Sequence, residues 1–374
     1  MAGAHSAILV ISYGHFIPSS PRWMRAMFKN GVLLAAIKPM EARSVDEIPI
    51  GSEWQYEPKW DGFRCIAYRD GTAVELISKA GQPLTRYFPD VVGSLRALKS
   101  KEFALDGEIV VPADQGFSFD ALLQRIHPAQ TRVERLSSET PAIYIVFDYL
   151  IDGNGQRLVG CELKRRRQLL ESFAKRNLKS NQGVRLSPAT TKLARANEWF
   201  ARVGNALDGI IAKRLDRPYD SGERTAMVKV KNYRTADCVV GGFRYNEGKK
   251  VVGSLLLGLY DKAGLLNHVG FTSGLKANEK VALTKRLRSL IAEPGFTGSK
   301  PGGPSRWNTA RSAEWKPLKP TLVVEVSYDH FSGGRFRHGT SLIRWRPEKS
   351  PSQCTMEQLK QKRADLTALL TQRA

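Results

Sequence analysis

The chain has 374 residues, 42% of them hydrophobic, which excludes a disordered protein and leaves room for two domains. Lys and Arg number 58 against 36 Asp and Glu, a formal net charge of +22, so a polyanionic partner is expected. No long basic amphipathic helix with a bulky apolar face is legible, which favours nucleic acid over a membrane surface as that partner. The four cysteines stand far apart without a CxxC pair, against a zinc ribbon or a disulfide framework. No apolar run approaches the length of a membrane span. A cytoplasmic, nucleoid-associated monomer is expected.

In chain order, residues 1–30 read as a poorly ordered extension, with Met24 and Met27 as alternative starts. Residues 31–234 read as one folded domain. Trp54 to Glu57 alternates like the end of a strand, and the apolar run Cys65-Ile66-Ala67-Tyr68 reads as a buried strand entered through an Asp-Gly turn. Ala73–Ser78 is a further strand. Val91, Val92, Leu95 and Leu98 have helical spacing. Phe103–Val111 reads as a strand broken at Asp106-Gly107-Glu108, and Phe119–Ile126 as a short helix. Ala142–Leu150 is a central strand apolar on both faces. Helices are expected over Leu163–Lys175 and Ala194–Val203, with a strand over Ala206–Lys213. This interleaving is α+β.

Residues 235–350 change texture. Strands at Cys238–Tyr245, Val251–Tyr260, Leu265–Phe271, Thr321–Tyr328 and Ser341–Arg346, with a helix over Asn278–Leu290 after the third, suit an OB-fold β-barrel. Residues 351–374 read as a helical tail.

The chemistry centres on Lys59-Trp60-Asp61-Gly62-Phe63-Arg64. Lys59 would project from the mouth of a strand-lined cleft as a nucleophile; the plain alternative is a solvated lysine in a turn. Asp-Gly recurs at Asp106-Gly107-Glu108 and Asp208-Gly209, either as a common turn dipeptide or to bring Lys59, Glu108 and Asp208 around one cleft. A lysine with two carboxylates suits nucleotidyl transfer with magnesium. Lys229 and Lys231, two apart on a strand, point to one face and could hold phosphates or form a solvated basic strand. Lys164-Arg165-Arg166-Arg167 reads equally as a DNA grip or a solvated helix face. Four of the six histidines lie outside any metal-type spacing, and His330 with His338 is explained by strand and loop.

In this order the motifs resemble those of the covalent nucleotidyltransferases: ATP-dependent DNA ligases, RNA ligases and mRNA capping enzymes. Lys59–Arg64 looks like the first motif, Leu105-Asp106-Gly107-Glu108 the third, Ile145–Asp148 the next, Asp208–Lys213 the fourth and Lys229-Val230-Lys231 the fifth. Arg344–Lys349 is a looser match to the sixth. Gln124–Pro128, Arg234–Val240 and Val324–His330 most resemble the bacterial ligase C type.

The resemblance implies an adenylation domain of antiparallel sheets with flanking helices, followed by the OB-fold barrel. It implies that Lys59 attacks the α-phosphate of ATP, that Phe147 stacks on adenine and that Glu57 meets the base edge. Arg64 and Glu108 would lie near the ribose, Lys229 and Lys231 on the α-phosphate, and Arg346 and Lys349 would swing over the nucleotide. Glu108 and Asp208 would hold Mg2+, or Mn2+ in its place. Lys79 falls where the family often has an arginine that positions phosphate or DNA. Asp208 replaces the usual glutamate and Glu348 the usual aspartate.

The function so implied is an ATP-dependent DNA ligase sealing 5′-phosphate/3′-hydroxyl nicks in double-stranded DNA, in repair, with a polymerase or Ku as candidate protein partner. The alternatives are an RNA ligase or capping-type enzyme, and a non-catalytic nucleic-acid-binding protein.

Overall fold

The computed structural model describes residues 37–113, 116–178, 183–203, 207–302, 314–360 and 370. The expected extension over residues 1–30 and most of the expected C-terminal helix lie outside them. From Pro351 to Lys360 the chain makes 3-10 turns at Pro351–Gln353 and Met356–Leu359 rather than an α-helix.

Two antiparallel-rich sheets build the first domain. One runs in the order Ala73–Ser78, Phe63–Asp70, Glu102–Val110, Ile143–Ile151, Val184–Leu186. Strand Phe63–Asp70 is buried on both faces, which accounts for its unbroken apolar run. Cys65 and Ala67 pack into a core shared with Val91, Val92, Leu95, Phe103, Leu170 and Phe173, from helices Pro89–Arg96 and Leu163–Asn177 and the next strand. Ile66 and Tyr68 pack on the other side with Met40, Leu150 and Tyr219.

The second sheet is ordered Arg43–Ser44, Met227–Lys231, Gly209–Arg214, Trp54–Lys59. Its outer face carries Tyr56, Ile210, Ala212 and Val228 against Trp199 of helix Leu193–Val203. Trp60 and Trp199 are buried packing residues, and the Trp60 indole donates to Ser187 Oγ at 2.9 Å.

Three sequence expectations change. Strand Glu102–Val110 is continuous through Asp106-Gly107; the dipeptide makes a register shift against Ile143–Ile151, not a break. Helix Gln130–Glu139 and the short strand Val184–Leu186 had no legible signal. The basic run of helix Leu163–Asn177 is split by the helical period. Arg166 is buried on Asp148 at 2.8 Å, and Arg167 reaches Glu171 and the Ser187 carbonyl. Lys164 and Arg165 face solvent.

The second domain is a five-stranded sheet, Leu266–Thr272, Val252–Tyr260, Arg234–Tyr245, Val323–Tyr328, Ser341–Trp345, with Lys316–Pro317 on its third member. Thr340 N donates to Phe271 O at 3.1 Å and Thr272 Oγ1 to Thr340 O at 2.9 Å, bringing the outer strands together as a barrel. Helix Lys280–Arg288 follows the third strand in sequence, as an OB fold requires.

Inside the barrel, His268 is 6% exposed with its ring 5.3 Å from that of Phe296. Burial, helped by Arg335 and Arg244, pushes its pKa down to about 3. A depressed folded pKa means stability is intact above pH ~6.5 and is lost as pH falls toward 3, because the unfolded chain takes the proton first. His268→Phe is expected to leave melting at pH 7.5 nearly unchanged and to flatten its fall between pH 6 and 4. Parallel melting curves for the two proteins across that range would contradict this.

Candidate active site

Antiparallel register assembles the site. Gly209 pairs with both Lys59 and Lys231, and Ile211 with both Glu57 and Lys229. Because side chains alternate along a strand, Glu57, Lys59, Ile211, Lys213, Lys229 and Lys231 share one face. The neighbouring Tyr56, Ile210, Ala212, Val228 and Val230 are buried on the other. Opposite this face the first sheet contributes Arg64, Glu108 and Phe147, Arg64 and Glu108 being register partners. Between the sheets is a cavity of about 890 Å³, walled by Glu57, Lys59, Arg64, Glu108, Phe147 and Lys229 among others.

At its inner end Glu57 and Lys213 are each 2% exposed and paired at 2.9 Å, and Gln55 Nε2 donates to Glu57 Oε1 at 2.8 Å. Lys213 Nζ stands 4.6 Å and the Arg64 guanidinium 5.3 Å from the centre of the Phe147 ring. Arg64 is locked in place by Asp106, to which it donates at 3.1 and 2.6 Å, while Tyr219 donates to the same carboxylate at 2.6 Å. Lys213 was part of a sequence motif but carried no assigned role; its buried pairing gives it one in shaping the inner end.

Lys59 donates to Asp208, the two forming an ion pair at the cavity. Burial pulls Lys229 below its ordinary value, with Lys59 and Lys231 pushing the same way. Burial pushes Glu108 up to about 8 even though Lys59 and Arg64 oppose it. Among the described residues no three His, Cys, Asp or Glu side chains converge as a metal cage. Magnesium needs none, since it keeps waters and binds one or two carboxylates together with substrate phosphates. Glu108 fits that demand because its carboxyl lines the cavity.

The barrel reaches this site through residues 329–338. In these the sequence marked Asp329 and His330 as the end of a ligase C-like stretch, and His330 and His338 as strand and loop, with no role at the cavity. Arg337 donates to both oxygens of Asp61 at 2.8 and 2.6 Å, and His330 Nε2 lies 2.9 Å from the same carboxylate. Asp329 accepts from Lys231 at 2.9 Å and lies 2.9 Å from His338 Nδ1. Burial alone would raise Asp61, but hydrogen bonds from His330 and Arg337 hold it far below the ordinary range. His338 and Lys231 do the same for Asp329. Arg346 and Lys349 are elsewhere on the barrel. Arg346 pairs with Asp237 at 2.8 Å and Glu348 at 2.5 Å, and Lys349 with Asp237 at 3.5 Å. Neither lines the cavity in this arrangement.

These contacts form a clasp between barrel and first domain. Depressed carboxyl pKa values mean its strength is fully present above pH ~4 and is lost below. Arg337→Ala is expected to enlarge the radius of gyration at pH 7, and acidification below pH 4 to do so in the unmodified protein; X-ray scattering reads both. An unchanged radius in Arg337→Ala would show that the clasp does not hold the domains.

Two sheets around a lysine-bearing cavity, followed by an OB barrel, define a covalent nucleotidyltransferase. Residues 39–231 match the ATP dependent DNA ligase domain and residues 248–349 the ATP dependent DNA ligase C terminal region. The chain is 42% identical over 343 residues to DNA ligase C2 of Mycolicibacterium smegmatis, covering 87% of this chain and 95% of that protein. It is 32% identical over 311 residues to the multifunctional non-homologous end joining protein LigD of Mycobacterium bovis, covering 82% of this chain and 38% of that one. A solved Lig E DNA ligase shares the fold, with a TM-score of 0.53 at 18% identity over 83% of this chain and 99% of that one. The chain belongs to the ATP-dependent DNA ligases.

Proposed function

We propose that Lys59 is the nucleophile of a three-step nick-sealing reaction. Its amine forms a bond to the α-phosphorus of ATP as pyrophosphate leaves. AMP then passes to the 5′-phosphate at a nick, and the 3′-hydroxyl displaces AMP to join the strand. The observation that carries this reading is that Lys59 and Lys229 line the cavity from one strand face, which Lys231 shares, opposite Phe147 and Glu108.

Phe147 offers an aromatic face for adenine, and Glu57 with Lys213 a polar floor for the base edge. Lys229 would meet the α-phosphate directly; Lys231 must first part from Asp329. Glu108 and Asp208 would hold Mg2+ or Mn2+, which when bound neutralises phosphate charge. Arg346 and Lys349 would act in a different barrel position, after leaving Asp237 and Glu348. DNA would be gripped through its phosphates, so binding weakens with salt and ignores sequence. Similarity to an end-joining protein supports a role in repair. No helix among the described residues is long and apolar enough to cross a membrane. A cytoplasmic monomer working on nicked DNA is the simplest setting, with a repair polymerase or Ku as the class of protein partner.

The test is intact mass after incubation with ATP and magnesium, then with pyrophosphate. A gain of one AMP that pyrophosphate removes is expected, with ATP preferred to GTP or NAD and nicked DNA preferred to nicked RNA as acceptor. No adduct with any nucleotide would overturn the reading.

A further inference from the structure

Gln55 lies two residues before Glu57 on the strand that carries Lys59, and the chemistry above gives it no part. It shares the strand face of Glu57 and Lys59 but is 4% exposed, standing behind Glu57 rather than in the cavity wall. Its cross-strand partner is Lys213, while that of Glu57 is Ile211. This register flanks one carboxylate with two donors. Gln55 Nε2 donates to Glu57 Oε1 at 2.8 Å, and Lys213 Nζ donates to Oε2 at 2.9 Å. Lys213 Nζ also donates to the Phe147 carbonyl at 3.4 Å, tying this floor to the strand of the aromatic ring.

A glutamine amide does something here that an apolar side chain of the same size would not. The last torsion of a glutamate side chain is broad and roughly two-fold, so a single partner leaves the carboxylate free to swing. A donor on each oxygen removes that freedom. The lone pairs that remain then point in fixed directions, on a residue that lines the cavity. A carboxylate so held takes an N–H and repels an oxygen. Adenine presents an amine at its six-position where guanine presents a carbonyl. The same arrangement keeps Lys213, the donor that a guanine carbonyl would need, committed to Glu57. Without the Gln55 amide the carboxylate can turn, and Lys213 can turn with it toward the base edge.

Resting on the reading that places Glu57 at the base edge and makes Lys59 the nucleophile, we propose that Gln55 is the positioning residue that sets adenine over guanine at this site. It touches no part of the nucleotide. It holds Glu57 so that the carboxylate accepts from the six-amino group of adenine and turns away the six-carbonyl of guanine. The effect belongs to recognition of the base and not to transfer of the phosphate. Lys59 stands four residues further along the strand, and its partner there is Asp208, on a different segment from the Gln55 contacts.

Gln55→Met removes the donor at similar volume and leaves the Glu57–Lys213 pair in place. The test is the KM of Lys59 adenylation, read by intact mass, for ATP, GTP and a purine riboside triphosphate that lacks the six-amino group. Gln55→Met is expected to raise the KM for ATP about tenfold and to leave that for the des-amino nucleotide within about twofold. The preference for ATP over GTP should fall by at least about tenfold, with the rate at saturating ATP within about twofold of the unmodified protein. A merely structural role would weaken all three nucleotides alike, and that result overturns the proposal. In a Glu57→Gln background, Gln55→Met is expected to change the ATP-to-GTP ratio no further, since both residues act through one carboxylate. A full additional loss in the double variant overturns it too; should Glu57→Gln fail to fold, the ratio in the single variant decides. Equal KM for ATP and the des-amino nucleotide in the unmodified protein overturns the placement of Glu57, and the proposal with it, while leaving Lys59 untouched. Absence of any adduct in the unmodified protein overturns the Lys59 assignment itself.

Discussion

Lys59→Ala is expected to form no AMP adduct and to seal ordinary nicks at least about a thousandfold more slowly, while still joining nicks supplied with AMP in place. The division follows from what Lys59 does in each step. Only the first two steps pass AMP through its nitrogen; the third is attack by a DNA hydroxyl on a DNA-bound phosphate. Lys59→Arg should be as inert as alanine in the first step, since a guanidinium keeps its proton and has no nucleophilic lone pair. In the third step it should outperform alanine, because a cation remains against the phosphate. The ion pair with Asp208 adds a requirement, because an ammonium donating to a carboxylate must lose a proton before it can attack. Equal adduct formation by Lys59→Ala and the unmodified protein, read by intact mass, would sink this account.

Much of the site was legible because its parts are short motifs on strands. Lys229-Val230-Lys231 shows why: alternation places both lysines on one face, and burial of Val228 and Val230 confirms which face that is. The Phe147 strand was equally plain, being apolar on both sides. What was not legible depends on contacts between distant segments. Asp61 lies inside the first motif, yet its partners, Arg337 and His330, come from the barrel, more than 260 residues later. Nothing local to either segment announces that pairing. Glu41 and Arg224 are another case, ordinary charged loop residues until the fold sets them on one lip of the cavity. The basic run Lys164–Arg167 failed as a single feature because a helix turns successive residues to different sides, and two of the four guanidinium or ammonium groups went inward.

The glycines of the Asp-Gly pairs carry a role that turn propensity does not describe. A methyl group at Gly62 would lie 2.2 Å from the Ile109 carbonyl, at Gly107 2.6 Å from that of Ile145, and at Gly209 1.9 Å from that of Val230. Each is a place where a neighbouring strand passes too close for any side chain, and each sits beside a carboxylate of the site.

Gly209→Ala is therefore expected to damage both stability and chemistry. The obstructing atoms are the Val230 carbonyl and the Lys231 Cα at 3.0 Å, all backbone, so no rotamer change relieves the clash. The residue also sits at φ +142°, a region that disfavours any L side chain. Relief requires strand Gly209–Arg214 to move away from Met227–Lys231. Gly209 is the register partner of both Lys59 and Lys231, and Asp208 precedes it, so this movement separates all three. A cost of about 3 kcal/mol or more is expected, lowering the melting temperature on the order of 10 °C. Gly81→Ala is the control for backbone strain alone, since Gly81 has φ +77° with nothing within 4 Å of the added methyl; about 1–2 kcal/mol is expected there. Adduct formation by the folded fraction of Gly209→Ala should fall far more than in Gly81→Ala. If the two variants melt together and adenylate Lys59 alike, the strands can spread without cost and the close approach at Gly209 does not set the geometry of the lysine.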